Sequence, residues 1–571
     1  MTLIKIISFN LFLIFSSFET QNEKKFFTPP LNIPLLLSGN FGELRSDHFH
    51  SGIDIKTQGV IGKEVRASAD GYIYRISVSP SGFGKAIYIM HPNGYSTVYG
   101  HLDRFTPEIE KYVKSRQYQQ KSFTVNLFPQ KNELVYKQGD LIAYSGNTGS
   151  SGGPHLHYEI RNSANEKPVN PLLFSFEIED NIPPILESLF IYPLSNATSI
   201  NGKNSTTQIN ITGRNGVYNI TNNNIVISGK AGFGIRSHDL LNNSANKCAA
   251  YSIELVIDDN TVYKYIMNQF SFDETRFINS HIDYETYIRS RIHVQKAFIL
   301  PNNKLSMYSN IVNRGIFNFD DDKIHKVTFY LTDAYGNKST LSFNVKSEPE
   351  SKIEIAKNDI SNQTVMPYNR QNRFTAENVR VTIPANVLYD TLRFQYNKIP
   401  RTEKALSDVH QISTKFNPVH SAYTLSIKPD VIIRGKESKM LIMSIDGDRR
   451  SPLTSVWEEG YLTAQPSTFG DFCVGIDTIP PTINPIGFAA ENNFTGRREM
   501  RIRIRDEFSG IRSYEPEIDG KWALFEYDQK NDVLIYQFDE ERITKGARHE
   551  LTLKVTDRKD NVSIYRTTFT W

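Results

Sequence analysis

Five residues in the first third of the chain carry side chains suited to holding a metal and moving a proton. His50 and Asp54 sit four positions apart, His101 follows in Tyr99-Gly100-His101-Leu102, and His155 and His157 close the set. In an extended strand, side chains two or four apart project to the same face. His155 and His157 therefore point into one cleft, and His50 and Asp54 share a face if their stretch is extended, the reading the segment favours over a helix. Neutral imidazole nitrogens and a carboxylate oxygen suit zinc, and a catalytic zinc takes three protein ligands with a fourth position left for water. One Asp and two His fill that set, and two histidines remain beside it.

These motifs, in this order, resemble the M23 family of zinc metallopeptidases of the lysostaphin and LytM type, which cut peptide cross-bridges of bacterial cell walls. His50 and Asp54 match the family's H-x-x-x-D, His155 and His157 its H-x-H, and His101 its lone catalytic histidine before Leu. The likeness covers roughly residues 30–178, including Gly62, Val65 and Ala67 to Gly71, and the glycine-rich approach from Gly139 to Pro154. It implies that His50, Asp54 and His157 bind one Zn2+ while His101 and His155 are catalytic. It further implies an antiparallel sheet with the cleft across it, which the alternating segments Ala86 to Met90 and His155 to Ile160 support.

The expected function is that of an exported zinc metalloendopeptidase acting on the peptide of peptidoglycan. Zinc lowers the pKa of its water from about 16 to about 7, which supplies hydroxide near neutral pH. The tetrahedral oxyanion formed on the peptide carbonyl is then stabilised by the metal and a donating imidazole. His101 or His155 relays the proton to the leaving amine, and the sequence leaves open which of them does so. A second reading keeps the fold without the cutting, as an envelope scaffold or activator that binds cell wall or a partner hydrolase. His48 and His91 fall outside the motifs and read as solvated or hydrogen-bonded imidazoles. Ser145 to Pro154 lacks the Lys-Ser/Thr ending of a phosphate loop, so its glycines serve a tight turn or a close approach to an extended peptide.

The elements that must position these residues belong to a mainly β protein. At 571 residues the chain exceeds one core, and its apolar share of 39% with 12% aromatics describes folded, strand-rich domains. With 65 basic and 62 acidic residues the net charge is +3, which gives no basic surface for nucleic acid. Lys5 and the apolar run Ile6 to Phe18 read as an export signal over residues 1–21, with an uncleaved membrane anchor as the alternative, so the expected location is the periplasm or cell envelope. The peptidase region, 30–178, is followed by β domains at 179–347, 348–476 and 477–571, two or three of them immunoglobulin-like sandwiches.

The first and last of these β domains read as copies of one unit. Asp180-Asn181-Ile182-Pro183-Pro184 and Asp477-Thr478-Ile479-Pro480-Pro481 open them. Val327 to Gly336 and Leu551 to Asp560 close them, and Gly232 to Ser237 and Phe508 to Ser513 are expected to form a shared turn. Between them lies an Asn-rich opening, Asn358 to Arg373, followed by strands at Val379 to Ile383 and Tyr423 to Ile427. The β domains are expected to bind protein, saccharide or only each other. A helix is expected from Pro107 to Gln117, in an insert read as surface decoration or a shaper of substrate access. Two cysteines, Cys248 and Cys473, cannot form a disulfide scaffold and are expected to be buried.

Overall fold

Alternation of apolar and polar side chains decides the architecture of the peptidase region. In the strand His155–Asn162 the even set Leu156, Tyr158 and Ile160 is wholly buried in the core, whereas His155, His157, Glu159 and Arg161 face the opposite side. The computed structural model describes residues 26–174, 176–221, 223–349, 364–403, 405–488 and 492–571. The expected signal segment and the start of the Asn-rich stretch lie outside them. Among the described residues no helix is long and apolar enough to cross a membrane.

The peptidase sheet is antiparallel throughout. Its strands are β1 (Leu37–Gly39), β2 (Ile53–Lys56), β3 (Glu64–Arg66), β4 (Gly71–Val78), β5 (Lys85–Met90), β6 (Tyr95–Phe105), β7 (Val125–Leu127), β8 (Val135–Tyr136), β9 (Leu141–Ser145), β10 (His155–Asn162) and β11 (Pro168–Val169). The central order is β1-β2-β10-β6-β5-β4-β7. Register fixes the site: His157 on β10 lies opposite Asp54 on β2 and opposite Gly100 on β6. The helix α1 (Pro107–Gln120) forms as expected, with Pro at its start and Glu108 and Glu110 in its first turn, where the helix dipole favours them. It is a docking element: Lys114 pairs with Asp539, Tyr118 meets Trp522 edge-on, and Arg542 lies 3.9 Å over the Tyr118 ring.

The rest of the described chain is mainly β, with short helices at Phe272–Phe277, Ile278–His281 and Tyr284–Ser290 in the first unit. Residues 185–347 form a twelve-stranded network, residues 364–476 give two five-stranded sheets and one short pair, and residues 482–570 give two four-stranded sheets enclosing one core. The hairpins Ile324–Thr332 with Lys338–Ser347, and Arg548–Asp557 with Val562–Thr570, close the first and last units alike. The expected shared turn at Gly232 to Ser237 is absent, because that segment lies inside the long strand Ile225–His238. Its glycines serve packing: a Cβ at Gly232 would come within 2.5 Å of the Phe298 ring. Position for position, Asp239 after that strand corresponds to Asp506 after Glu499–Arg505. Cys248 and Cys473 are buried and free.

The first sandwich packs into the peptidase region. Phe41 and Phe49, on the loop between β1 and β2, are 2% and 1% exposed and belong to the sandwich core, with ring centroids 5.2 and 5.8 Å from that of Phe270.

Candidate metal centre

The five expected side chains come together in one cleft. His50 Nε2, Asp54 Oδ1 and His157 Nδ1 form a triangle with sides of 3.0, 3.1 and 3.0 Å. Asp54 and His157 are set by strand register. His50 is not: only Ile53–Lys56 is strand, so the extended stretch expected from His50 to Asp54 is broken, and His50 reaches the cleft from the loop. Gly52 permits this, since a Cβ there would meet the Tyr158 carbonyl oxygen at 2.3 Å.

Outer partners dictate which atom of each ligand is free. His50 Nδ1–H donates to the Asn40 carbonyl at 2.7 Å, and His157 Nε2–H donates to Glu159 Oε1 at 2.9 Å. Arg45 donates to Asp54 Oδ2 at 3.1 Å and is shared with Glu43 at 3.2 Å. What remains, His50 Nε2, His157 Nδ1 and Asp54 Oδ1, is three lone-pair atoms in mutual contact. Three acceptors at 3 Å repel unless a cation or a proton sits among them. The edge of a tetrahedron with metal–ligand distances of about 2.1 Å is about 3.4 Å, so this donor set fits zinc.

The same contacts set the ionisation of these groups. Burial lowers the His50 pKa. For His157, burial opposes the charged form, but hydrogen bonds to Asp54 and Glu159 and their charges outweigh it and bring the ring up to about 9. Asp54, although buried, is held well below the carboxylate range by His50, His155 and His157. Glu159, wholly buried, is brought down to about 2 against its desolvation by Arg161 and His157; Arg161 donates to it at 2.5 Å.

His101 and His155 lie alongside, with ring centroids 4.7 Å apart. His101 Nδ1–H donates to the Thr148 carbonyl at 2.8 Å and His155 Nδ1–H to the Gly153 carbonyl at 2.8 Å, so each keeps its Nε2 lone pair free. His155 Nε2 is 3.5 Å from Asp54 Oδ1. Burial, then the imidazoles of His157 and His155, bring His101 down to about 3, so its ring stands neutral. Its backbone φ is +59°, an uncommon value outside glycine; the residue interrupts the pairing of β6 with its neighbours and is aimed into the cleft. Phe83 stacks on His157, with centroids 4.8 Å apart.

The glycine-rich segment shapes one wall. Gly149, at φ +69°, abuts Gly84, where a Cβ would come within 2.3 Å of backbone nitrogen, while Gly152 and Gly153 face open space. Lys530 of the last sandwich donates to the Asn147 carbonyl and, at 3.2 Å, to that of Ser151. His91 is buried between the Asp70 carbonyl and Thr97, and His48 lies at the surface beside Asp47, so neither enters the cleft.

Sequence reasoning did not single out Asn40, Arg45, Phe83 or Glu159. Glu159 had a signal, since His155, His157 and Glu159 recur at even spacing on one strand face. Asn40 had none, because its contact with His50 runs through a backbone carbonyl that any residue possesses.

An antiparallel sheet bearing a His-Asp-His triangle with two flanking histidines is an arrangement that can hold a metal ion beside two imidazole bases. Residues 48–119 and 126–171 match Peptidase family M23, so the chain carries an M23 peptidase domain; residues 363–477 match a Zu5-like domain. The chain is 36% identical over 129 residues to DD-carboxypeptidase/endopeptidase Mpg of Neisseria meningitidis serogroup B, a match covering 23% of each chain. It is 29% identical over 134 residues to peptidoglycan DD-endopeptidase ShyA of Vibrio cholerae, covering 24% of this chain and 25% of that one. It is also 31% identical over 135 residues to murein hydrolase activator NlpD of Salmonella dublin, covering 24% of this chain and 28% of that one. The match thus spans about a quarter of each relative's length.

Proposed function

We propose that this chain is an exported zinc-dependent endopeptidase, of the periplasm or cell envelope, that hydrolyses peptide cross-bridges of bacterial peptidoglycan. The observation that carries the reading is the pairing of a three-acceptor triangle with two imidazoles whose Nδ1 atoms are pinned to carbonyls. Zinc held there would polarise the scissile carbonyl and acidify a water.

The chain's own residues do the rest. His50, Asp54 and His157 hold the ion, and Asn40, Arg45 and Glu159 keep their ligating atoms turned inward. His101 and His155 present Nε2 as base to the attacking water, and one of them, once protonated, returns the proton to the leaving amine nitrogen. Gly152 and Gly153 leave the wall beside His155 low enough for an extended peptide. The named activities of Mpg and ShyA support the substrate class.

The likeness to NlpD favours a second reading, in which the same fold activates a partner hydrolase without cutting. Purified wall separates the two: chelator-sensitive release of peptide fragments supports the first, and tight binding without fragments the second. Within the first, His155→Ala retains zinc and loses turnover, whereas His157→Ala loses the metal; equal zinc loss in both would refute the assignment.

A further inference from the structure

Two clusters of three aspartates lie outside the peptidase cleft. Asp180, Asp239 and Asp333 bring carboxylate oxygens within 4.8 Å of one another, and so do Asp477, Asp506 and Asp557. Each cluster takes one Asp from the Pro-Pro boundary, one from the end of a long strand and one from the Asp-x-x-x-Asn turn of the closing hairpin. The triad is therefore a property of the repeated unit and occurs at the same place in both copies.

The copies differ in how the oxygens are used. In the last sandwich, Asp477 accepts from the Ile479 and Ser509 amides and Asp506 from those of Phe508 and Gly510. Asp557 accepts from the Lys559 and Asn561 amides and from the Asn561 side chain. The positive charge of Lys559 also falls on Asp477. In the first sandwich Tyr335 stands where Lys559 stands in the last. Asp333 is satisfied there by Tyr335 and Asn337, and Asp180 Oδ1 by the Ile182 amide.

Asp180 Oδ2 and Asp239 Oδ1, however, are buried and have no hydrogen-bond partner among the described residues, and Asp239 is only 3% exposed. Among the described residues no Lys, Arg or His pairs with any of the three. An unpaired buried carboxylate is costly, and carboxylates gathered without a cation resist ionising together. Burial, then Asp180 and Asp333, push Asp239 up to about 8, and burial first of all pushes Asp180 up to about 6.

We propose that Asp180, Asp239 and Asp333 bind a calcium ion that clamps the segment joining the peptidase region to the first sandwich. The donors are all oxygen, which selects a hard cation over zinc. The nearby Cys248 thiol is kept protonated by burial and by the acidic groups around it, so it offers no thiolate. The clamp also reaches the peptidase cleft. Asp239 and Cys248 exchange backbone hydrogen bonds of 2.8 and 2.9 Å, and the next residue, Ala249, grips the Asn40 side chain through both its amide and its carbonyl. Asn40 in turn holds His50.

The test titrates calcium chloride into the zinc-loaded, calcium-depleted full chain and into its Asp239→Asn and Asp180→Asn variants, following heat and thermal unfolding. The wild type is expected to take up one more calcium than either variant. At calcium about a hundredfold above Kd its Tm should rise by about 5 °C through this site, a rise both variants lack. Without calcium, Asp239→Asn should unfold no earlier than the wild type, because it removes repulsion; a purely structural aspartate would give the opposite. Equal uptake by wild type and variants, no uptake at about 10 mM calcium, or an Asp239→Asn protein that unfolds earlier without calcium would each overturn the proposal.

Discussion

Glu159→Gln tests whether the acid behind His157 serves the metal, the fold or both. The wild-type carboxylate is wholly buried and accepts from His157, from Arg161 and from the Ser51 hydroxyl. A glutamine offers one acceptor oxygen and an amide that must point its hydrogens at another donor. Arg161, 5% exposed, then loses its buried counter-charge and keeps only Glu166, at 3.4 Å. Breaking one side of a buried pair costs about 3–5 kcal/mol, and the surviving Glu166 contact places this case near about 3. At about 2–4 °C per kcal/mol, Tm falls by about 6–12 °C. Loss of an outer hydrogen-bond partner of a ligating histidine weakens metal binding by about 10- to 100-fold, or about 1.4–2.7 kcal/mol.

The double variant Glu159→Leu/Arg161→Leu separates these effects. It removes both charges, so most of the lost stability returns, less about 1–3 kcal/mol for the orphaned His157 N–H. Zinc affinity should stay low, because no acceptor orients that ring. Thermal unfolding and competition for zinc with a chromophoric chelator read the two quantities independently. A double variant with recovered Tm and wild-type zinc affinity would refute the account of how His157 is held.

Other perturbations test the surroundings. A chain ending after residue 178 exposes Phe41 and Phe49 and takes Ala249 from Asn40, so it should aggregate or purify with substoichiometric zinc; a soluble fragment with full zinc would show that the first sandwich is dispensable. Lys530→Met frees the Asn147 and Ser151 carbonyls of the loop that pins His101 and His155, and should lower turnover about tenfold with zinc content unchanged, as measured by fragment release from wall and metal analysis. His325 is clasped by Asp258 at 2.6 Å and Asp321 at 2.8 Å, which outweigh its burial and raise its pKa. A raised folded-state value gives stability that is full below about pH 6.5 and lost as pH rises through the raised value. Thermal unfolding of His325→Gln should therefore show a shallower decline across that window than the wild type.

The legible part of the site is the part written in side chains along single strands. Asp54, His155 and His157 sit on adjacent strands, where spacing of two translates directly into one face, and the motif order did the rest. His50 was legible as a member of the cluster but not in its route, because the bend after it depends on Gly52 lying against the Tyr158 carbonyl. The matching strings around Gly234 and Gly510 misled for a physical reason. Gly510 has φ +86° and does turn, whereas Gly232 and Gly234 stay in the strand and give up their side chains to Phe298 and Tyr192. Aligning the two strings set the repeats out of step and hid the correspondence of Asp239 with Asp506.

Two different devices hold the ligand triangle, with different consequences. Asp54 and His157 are fixed by ladder hydrogen bonds inside one sheet, so their relative position is as stable as that sheet. His50 depends on a loop whose anchors, Phe41 and Phe49, are buried in the core of the first sandwich and whose Asn40 is gripped by Ala249. The Phe49 amide also donates to the Thr275 hydroxyl at 2.8 Å, and Arg161, behind the opposite end of the ligand strand, lies 4.7 Å from the Phe272 ring. Movement of the sandwich therefore acts on His50 while leaving Asp54 and His157 in register. A set of three ligands with one on a separate mount can lose metal by displacement of that mount alone. The first sandwich is in this sense a structural part of the peptidase centre.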